Sequence, residues 1–160
     1  MDIQATPAIQ AAQKYTQLFS ISKYDLHRPW GAFWYIDPHH AAIFVDTYFS
    51  HCHCDIEGNI SPKILAILPH MRISWQYHNR RKELWYVLEG PVGVVTSQTN
   101  EETPMVIYQK GDYITIDVQE RHRLVGLDNV AIIAELWCHT DNNYHSDEDD
   151  IVRLQDDFKR

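Results

Sequence analysis

The feature that most constrains this chain is a succession of short apolar runs between residues 32 and 138. Each is rich in Val, Ile, Tyr, Trp or Phe and is closed off by Gly, Pro, Asn or Asp. Runs this short, bounded by turn residues, read as β-strands. The strands expected are residues 32–36, 42–49, 63–68, 73–77, 83–88, 92–97, 105–108, 113–116, 122–125 and 131–137. Many short strands in one chain lead to a sandwich or a barrel. At 160 residues the chain suits one domain with one core.

Both ends carry a different pattern. Ile9, Ala12, Tyr15 and Phe19 recur at helical spacing behind Pro7, which predicts an amphipathic helix over residues 6–19. Asp147, Glu148, Asp149 and Asp150 precede Ile151, Val152 and Leu154, an order that favours a short helix because a helix N-terminus attracts negative charge. Residues 97–104 read as a polar hairpin loop. There is no internal repeat and no interdomain linker, so an N-terminal arm (1–27) and one main domain (28–160) are expected.

Composition narrows the function. Hydrophobic residues at 44% and charged residues at 22% exclude a disordered or disulfide-stapled chain. The 22 Asp and Glu against 14 Lys and Arg give a net charge of -8, which opposes nonspecific attraction to nucleic acid or to anionic membranes. Neither is an expected partner. No apolar run approaches the roughly 20 residues of a membrane span. Three cysteines and no secretory leader point to a reducing cytoplasm.

The chemistry concentrates in residues 69–90. Strand alternation puts Gln76 and His78 on one face, and a turn at residues 79–81 would let Glu83 converge on them. An amide oxygen, an imidazole and a carboxylate form a plausible metal triad, and His122 could supply a fourth ligand. Arg72, Arg80, Arg81, Lys82, Arg121 and Arg123 surround these positions, either as a cationic mouth for a phosphate or as solvated charge on outward strand faces. In His51-Cys52-His53-Cys54, alternation would separate the histidines from the cysteines, so packing or edge roles are expected there. His39 and His40 read as loop residues.

These residues resemble the cupin superfamily. Gln76, His78, Glu83 and Gly90 keep the spacing of its first motif, and Gly111 and His122 that of its second. The sequence departs from that pattern at His70, Gln76, Asp117 and Gln119. A narrower resemblance, to the type II phosphomannose isomerases, turns Gln76 into a match. It is carried by Arg28-Pro29-Trp30-Gly31, by Lys63 ahead of Ser74-Trp75-Gln76-Tyr77-His78, by Arg81, Glu83 and Trp85, and by residues 148–153. It covers roughly residues 28–160. The nucleotidyltransferase half to which this cupin is usually fused has no room in residues 1–27, so only the isomerase half is implied. Leu84 stands where that family commonly has histidine, and residues 139–145 lengthen the approach to the acidic motif. Both would bear on substrate identity.

The resemblance implies an all-β, cupin-type jelly-roll barrel with a short helix near each end. It implies isomerisation of a sugar phosphate, mannose 6-phosphate to fructose 6-phosphate, at a divalent ion held by Gln76, His78, Glu83 and His122. Zn, Co, Mn, Ni and Fe all suit such ligands. Lys63, Arg81 and Arg153 are the implied catalytic residues. Lys63 is a candidate base if its pKa is lowered, Arg81 and Arg153 candidates for binding phosphate or polarising the substrate, and Glu135 a further candidate base. The alternatives are a non-catalytic sugar- or metal-binding cupin and a metal-dependent oxygenase. Exposed sheet edges and the N-terminal segment offer a surface for a homodimer.

Overall fold

The computed structural model describes residues 6–53, 56 and 58–158. Helix α1 (Pro7–Thr16) leads into strands β1 (Ile21–Arg28) and β2 (Gly31–Ile36), and helix α2 (Ala41–Tyr48) follows a 3-10 turn at Pro38–His40. Strands β3 (Ile60–Ile67), β4 (Trp75–Tyr77), β5 (Arg81–Glu89), β6 (Val92–Ser97), β7 (Val106–Tyr108), β8 (Tyr113–Ile116), β9 (Arg121–Gly126) and β10 (Ala131–His139) form the main body. A 3-10 turn at Glu148–Asp150 precedes β11 (Val152–Gln155).

The strands make two antiparallel sheets, ordered β1-β2-β3-β10-β5-β8 and β11-β4-β9-β6-β7. They face each other as a jelly-roll barrel. Period-2 alternation divides the first sheet's residues between two cores. One face presents Phe33, Leu65, Trp85, Val87 and Ile133 to the lumen, where they meet Val92, Val94 and Leu124 of the second sheet and close one end of the barrel. The opposite face presents Trp34, Ile64, Ala66, Leu84, Leu88, Ala134 and Leu136 to a second core beneath the two helices.

Helix α1 lies on that outer face. Thr6 caps it by accepting from the Ile9 amide, Pro7 occupies its first turn, and Ala8 and Ala12 are its buried positions. The close backbone approach at Gly31 is equally local. Its φ is +150°, and a Cβ there would lie 1.8 Å from the Ala66 carbonyl oxygen, so β2 packs against β3 only with glycine at this position.

Four local expectations change. Residues 42–49 form α2 rather than a strand. Asp37 accepts from the His39 amide and starts a turn that feeds the helix, and Phe44 and Tyr48, four residues apart, bury their rings against Phe19 at 5.3 and 5.8 Å. The spacing of these buried aromatics overrides the β-branched run Ile43-Phe44-Val45. Towards the C-terminus the expected short helix is present as the 3-10 turn of the acidic triplet, but it stops there, and Val152–Gln155 continues as a strand because it finds an open edge on β4. Strand β1 was not expected; it pairs with β2, so the sheet begins ahead of residue 28. His51, Cys52 and His53 lie outside any strand, which removes the alternation argued for them, and Cys54 is outside the described residues.

Candidate metal centre and substrate cavity

Sheet register brings the polar residues together at the open end of the lumen. In the first sheet one cross-strand row reads Tyr35, Lys63, Glu135 and Trp85 across β2, β3, β10 and β5. Trp137 faces Glu83, and His139 faces Arg81, in the rows beyond. In the second sheet Arg153, Gln76 and His122 stand in line across β11, β4 and β9. His78 follows the end of β4. Sequence positions up to 125 residues apart (28 to 153) thus line a single cavity, whose walls include Arg28, Trp30, Phe33, Lys63, Arg81 and Glu135, with Gln76, Glu83, Glu148 and Arg153 completing its polar rim. Its space, open mouth included, is about 520 Å³.

Three ligand-type side chains meet at one point. His78, Glu83 and His122 are buried, and one donor atom from each lies within 4.8 Å of the others. His122 Nδ1 donates to the Glu120 carbonyl at 2.8 Å, and His78 Nδ1 donates to the Asp150 carbonyl at 3.1 Å. Carbonyls only accept, so these bonds turn both Nε2 atoms towards the same point, 3.2 Å apart. Glu83 Oε1 is 3.1 Å from His78 Nε2, and its Oε2 is 3.5 Å from His122 Nε2. Burial pushes His122 down to about 4, against the pull of Glu83, so its ring is neutral near pH 7. Two imidazole Nε2 atoms and a carboxylate aimed at one point are the kind of donor set that holds a cation, and the set fits a divalent metal.

Gln76 completes the fit by one rotation. Its Oε1 accepts from the Ser74 hydroxyl at 2.6 Å, while its Nε2 lies 3.4 Å from His78 Nε2. Turning the amide about its last torsion exchanges the two atoms and offers the oxygen to the same point.

Arg81 is the cation already there. It is buried, its Nε donates to Glu83 Oε1 at 2.8 Å, and its Nη2 sits 3.2 Å from His78 Nε2. Nη1 donates to the Ser146 hydroxyl at 2.9 Å, and the guanidinium lies 3.5 Å from the Trp137 ring centroid. Burial works against the Glu83 charge, but Arg81, His78 and His122 outweigh it and hold the carboxyl well below its ordinary range.

The other cations separate cleanly. Arg72 pairs with Asp157, Arg80 with Asp147 and Asp150, and Arg121 bonds to Asn100. Arg123 is buried and binds Glu102 and the Ile73 carbonyl. Lys82 is exposed. Of the six cations flanking the ligands in sequence, Arg81 alone lines the cavity; Arg28, Lys63 and Arg153 supply the rest of its positive charge. Lys63 is buried with its Nζ 4.4 Å from the Phe33 ring centre and 4.8 Å from those of Tyr35 and Trp137. Burial lowers its pKa against the attraction of Glu135 and Glu148.

Two further positions follow from this geometry. Leu84 points into the outer core beneath the helices, so the family's histidine there has no bearing on the cavity. The lengthened segment after His139 is anchored. The His139 and His145 rings stack at 4.5 Å, and the Ser146 amide donates to His139 Nδ1, which delivers Ser146 to Arg81 and Asp150. Reading the sequence missed Asp150, whose carboxylate accepts from the Asn79 and Arg80 amides, and missed Arg28, Trp137 and Glu148 on the cavity wall. Arg28 and Glu148 stand inside the matched islands, which was the available signal for them.

The family model described as mannose-6-phosphate isomerase C-terminal matches residues 38–156. No curated protein matches the chain. Among solved structures, a mutant of Bacillus subtilis oxalate decarboxylase aligns with a TM-score of 0.60 at 14% identity, over 85% of this chain and 32% of its own. Lactobacillus farciminis oxalate decarboxylase aligns at 0.56 and 20% identity, over 82% and 33%. The vicilin of hazelnut, Corylus avellana, aligns at 0.55 and 17%, over 74% and 31%. These neighbours are cupins, and they establish the fold. The chain spans about a third of the length of each.

Proposed function

We propose that this chain, which belongs to the mannose-6-phosphate isomerase C-terminal family, is a metal-dependent aldose–ketose isomerase that interconverts mannose 6-phosphate and fructose 6-phosphate. The observation that carries the reading is the convergence of His78 and His122 on Glu83, which with Gln76 lines a cavity that also presents Arg28, Lys63, Arg81 and Arg153. A divalent ion of the Zn, Co, Mn, Ni or Fe type, held by these three residues and Gln76, would supply Lewis acidity to the sugar's carbonyl and neighbouring hydroxyl oxygens.

The side chains account for the remaining needs of the reaction. Arg153 and Arg28 offer forked donors to a phosphate, the geometry guanidinium groups share with phosphate oxygens. Lys63, framed by aromatic rings, faces the sugar with a buried amine, which suits stabilisation of charge developing on oxygen. Trp30, Phe33 and Trp137 exclude water around the reacting carbons. The chemistry is redox-neutral and needs no organic cofactor.

An anaerobic assay with mannose 6-phosphate tests the reading. Protein reloaded with Zn, Co or Mn is expected to form fructose 6-phosphate, while metal-stripped protein and His78→Ala form none. Saturable binding of the sugar phosphate without product would instead favour a non-catalytic binding cupin. Oxygen consumption by iron-loaded protein would favour an oxygenase.

A further inference from the structure

An isomerase must move a proton between adjacent carbons, and the cavity offers three carboxylates for that task. Glu83 is committed to Arg81, His78 and His122. Glu148 is exposed and accepts from the Tyr35 hydroxyl at 2.6 Å. Glu135 is different. It is buried at the centre of the first sheet, it lines the cavity, and its oxygens are aimed by two indoles, Trp137 Nε1 donating to Oε1 at 2.7 Å and Trp85 Nε1 to Oε2 at 2.8 Å. Its nearest cation, Lys63 Nζ, stands 4.0 Å away, beyond hydrogen-bond distance. Each carboxylate oxygen retains a lone pair beyond the one its indole uses.

We infer that Glu135 is the catalytic base that carries the proton between the two substrate carbons, an assignment that rests on the isomerase reading. The carboxylate takes the proton from C2 of the aldose: the C–H bond breaks, an O–H bond forms on Glu135, and the freed pair becomes a C1–C2 double bond as the carbonyl pair moves onto O1. The protonated carboxyl, its proton partly exchanged with solvent, then delivers a proton to C1, or back to C2, and delivery to C1 is accompanied by passage of the hydroxyl proton from O2 to O1. Atoms and electrons balance without an oxidant or reductant. Lys63 sits where it can attract the charge on oxygen.

The surroundings tune this group for both directions of transfer. Burial, and then the like charge of Glu83, push Glu135 up to about 7 against the pull of Lys63, Arg81 and the Trp85 indole. Tyr35 and Glu148 face it across Lys63, on β2 and on the turn before β11. A base whose pKa lies near the working pH can both accept and return a proton efficiently.

The test follows turnover and deuterium entry at C2 in D2O, using Co-loaded protein and mannose 6-phosphate. Glu135→Gln is expected to lose about 10²- to 10⁴-fold in kcat and in C2 exchange, with metal content and KM unchanged. Trp137→Phe, which keeps the ring beside Arg81 but removes one donor to the charged carboxylate, is expected to raise the pKa of Glu135 and move the acid limb of kcat to higher pH. A merely structural Glu135 would leave that limb in place. Wild-type turnover with Glu135→Gln within tenfold of it, or an unmoved limb in Trp137→Phe, overturns this assignment and leaves the isomerase reading standing. Absence of wild-type turnover overturns both.

Discussion

Replacing Arg81 with glutamine is expected to destabilise the metal-free protein by about 3–5 kcal/mol, the usual cost of breaking a buried ion pair from one side. Both members of the Arg81–Glu83 pair have side chains only 2% exposed. Without the guanidinium, Glu83 is left as a buried charge with only the His78 and His122 rings beside it, and Ser146 loses its bond to Nη1. Urea unfolding of chelator-treated protein measures the loss. Saturating Zn or Co is expected to recover most of it, since an ion that binds only the folded state neutralises Glu83 in place of the guanidinium. The variant should also bind the ion at least as tightly as wild type, because Nη2 of Arg81 no longer competes for His78 Nε2. Equal stability of the two metal-free proteins would show that the pair contributes nothing to holding the site together.

The second large effect is expected at Asp150. Asp150→Ala removes the acceptor of two backbone amides and of the Ser146 hydroxyl, in the turn that directly follows His78. With the two orphaned backbone amides costing about 1–3 kcal/mol each, a loss of roughly 2–6 kcal/mol follows. Because the Asp150 carbonyl also orients the His78 ring, disturbing this segment should weaken metal binding by about 10- to 100-fold. The pH dependence has a definite sign. Burial pushes the Asp150 carboxyl up, but Ser146, the two amides and Arg80 outweigh it and set the pKa below its ordinary value. A carboxyl depressed on folding contributes stability that is complete above the unfolded pKa of about 4 and is lost as pH falls through the lower folded value. The stability gap between wild type and Asp150→Ala should therefore be flat from about pH 5 upward and shrink in acid.

How much of this could be read from the residues depended on the range of the interaction. Alternation along one strand places Gln76 and His78 correctly, and turn residues around Gly90 and Gly111 mark the ends of neighbouring strands. Long-range register cannot be read that way. His122 meets Gln76 because β9 pairs with β4, and Lys63 meets Glu135 because β3 pairs with β10. The resemblance had to stand in for that register.

The errors share a cause as well. Ile43-Phe44-Val45 looks like a strand, yet a turn begun at Asp37 and a buried Phe44–Tyr48 pair make it a helix. Val152–Gln155 follows an acidic run suited to a helix N-terminus, yet an open edge on β4 recruits it as a strand and so carries Arg153 into line with Gln76. In both places tertiary partners outweighed local preference. The cationic cluster illustrates the same limit. Sequence adjacency to the ligands selected Arg72, Arg80, Arg121 and Arg123, whereas strand direction sent them to surface or framework partners and brought the distant Arg28 and Arg153 to the cavity.

Titrating metal-stripped protein with Co(II) and following its visible absorption, before and after adding mannose 6-phosphate, tests the central claim most directly. One equivalent per chain, a spectrum lost in His78→Ala, and a saturable change on adding the sugar phosphate are expected if His78, Glu83 and His122 hold an ion beside the cavity that Glu83 lines. Binding that is not stoichiometric, an equal spectrum in His78→Ala, or a spectrum indifferent to the sugar phosphate would contradict it.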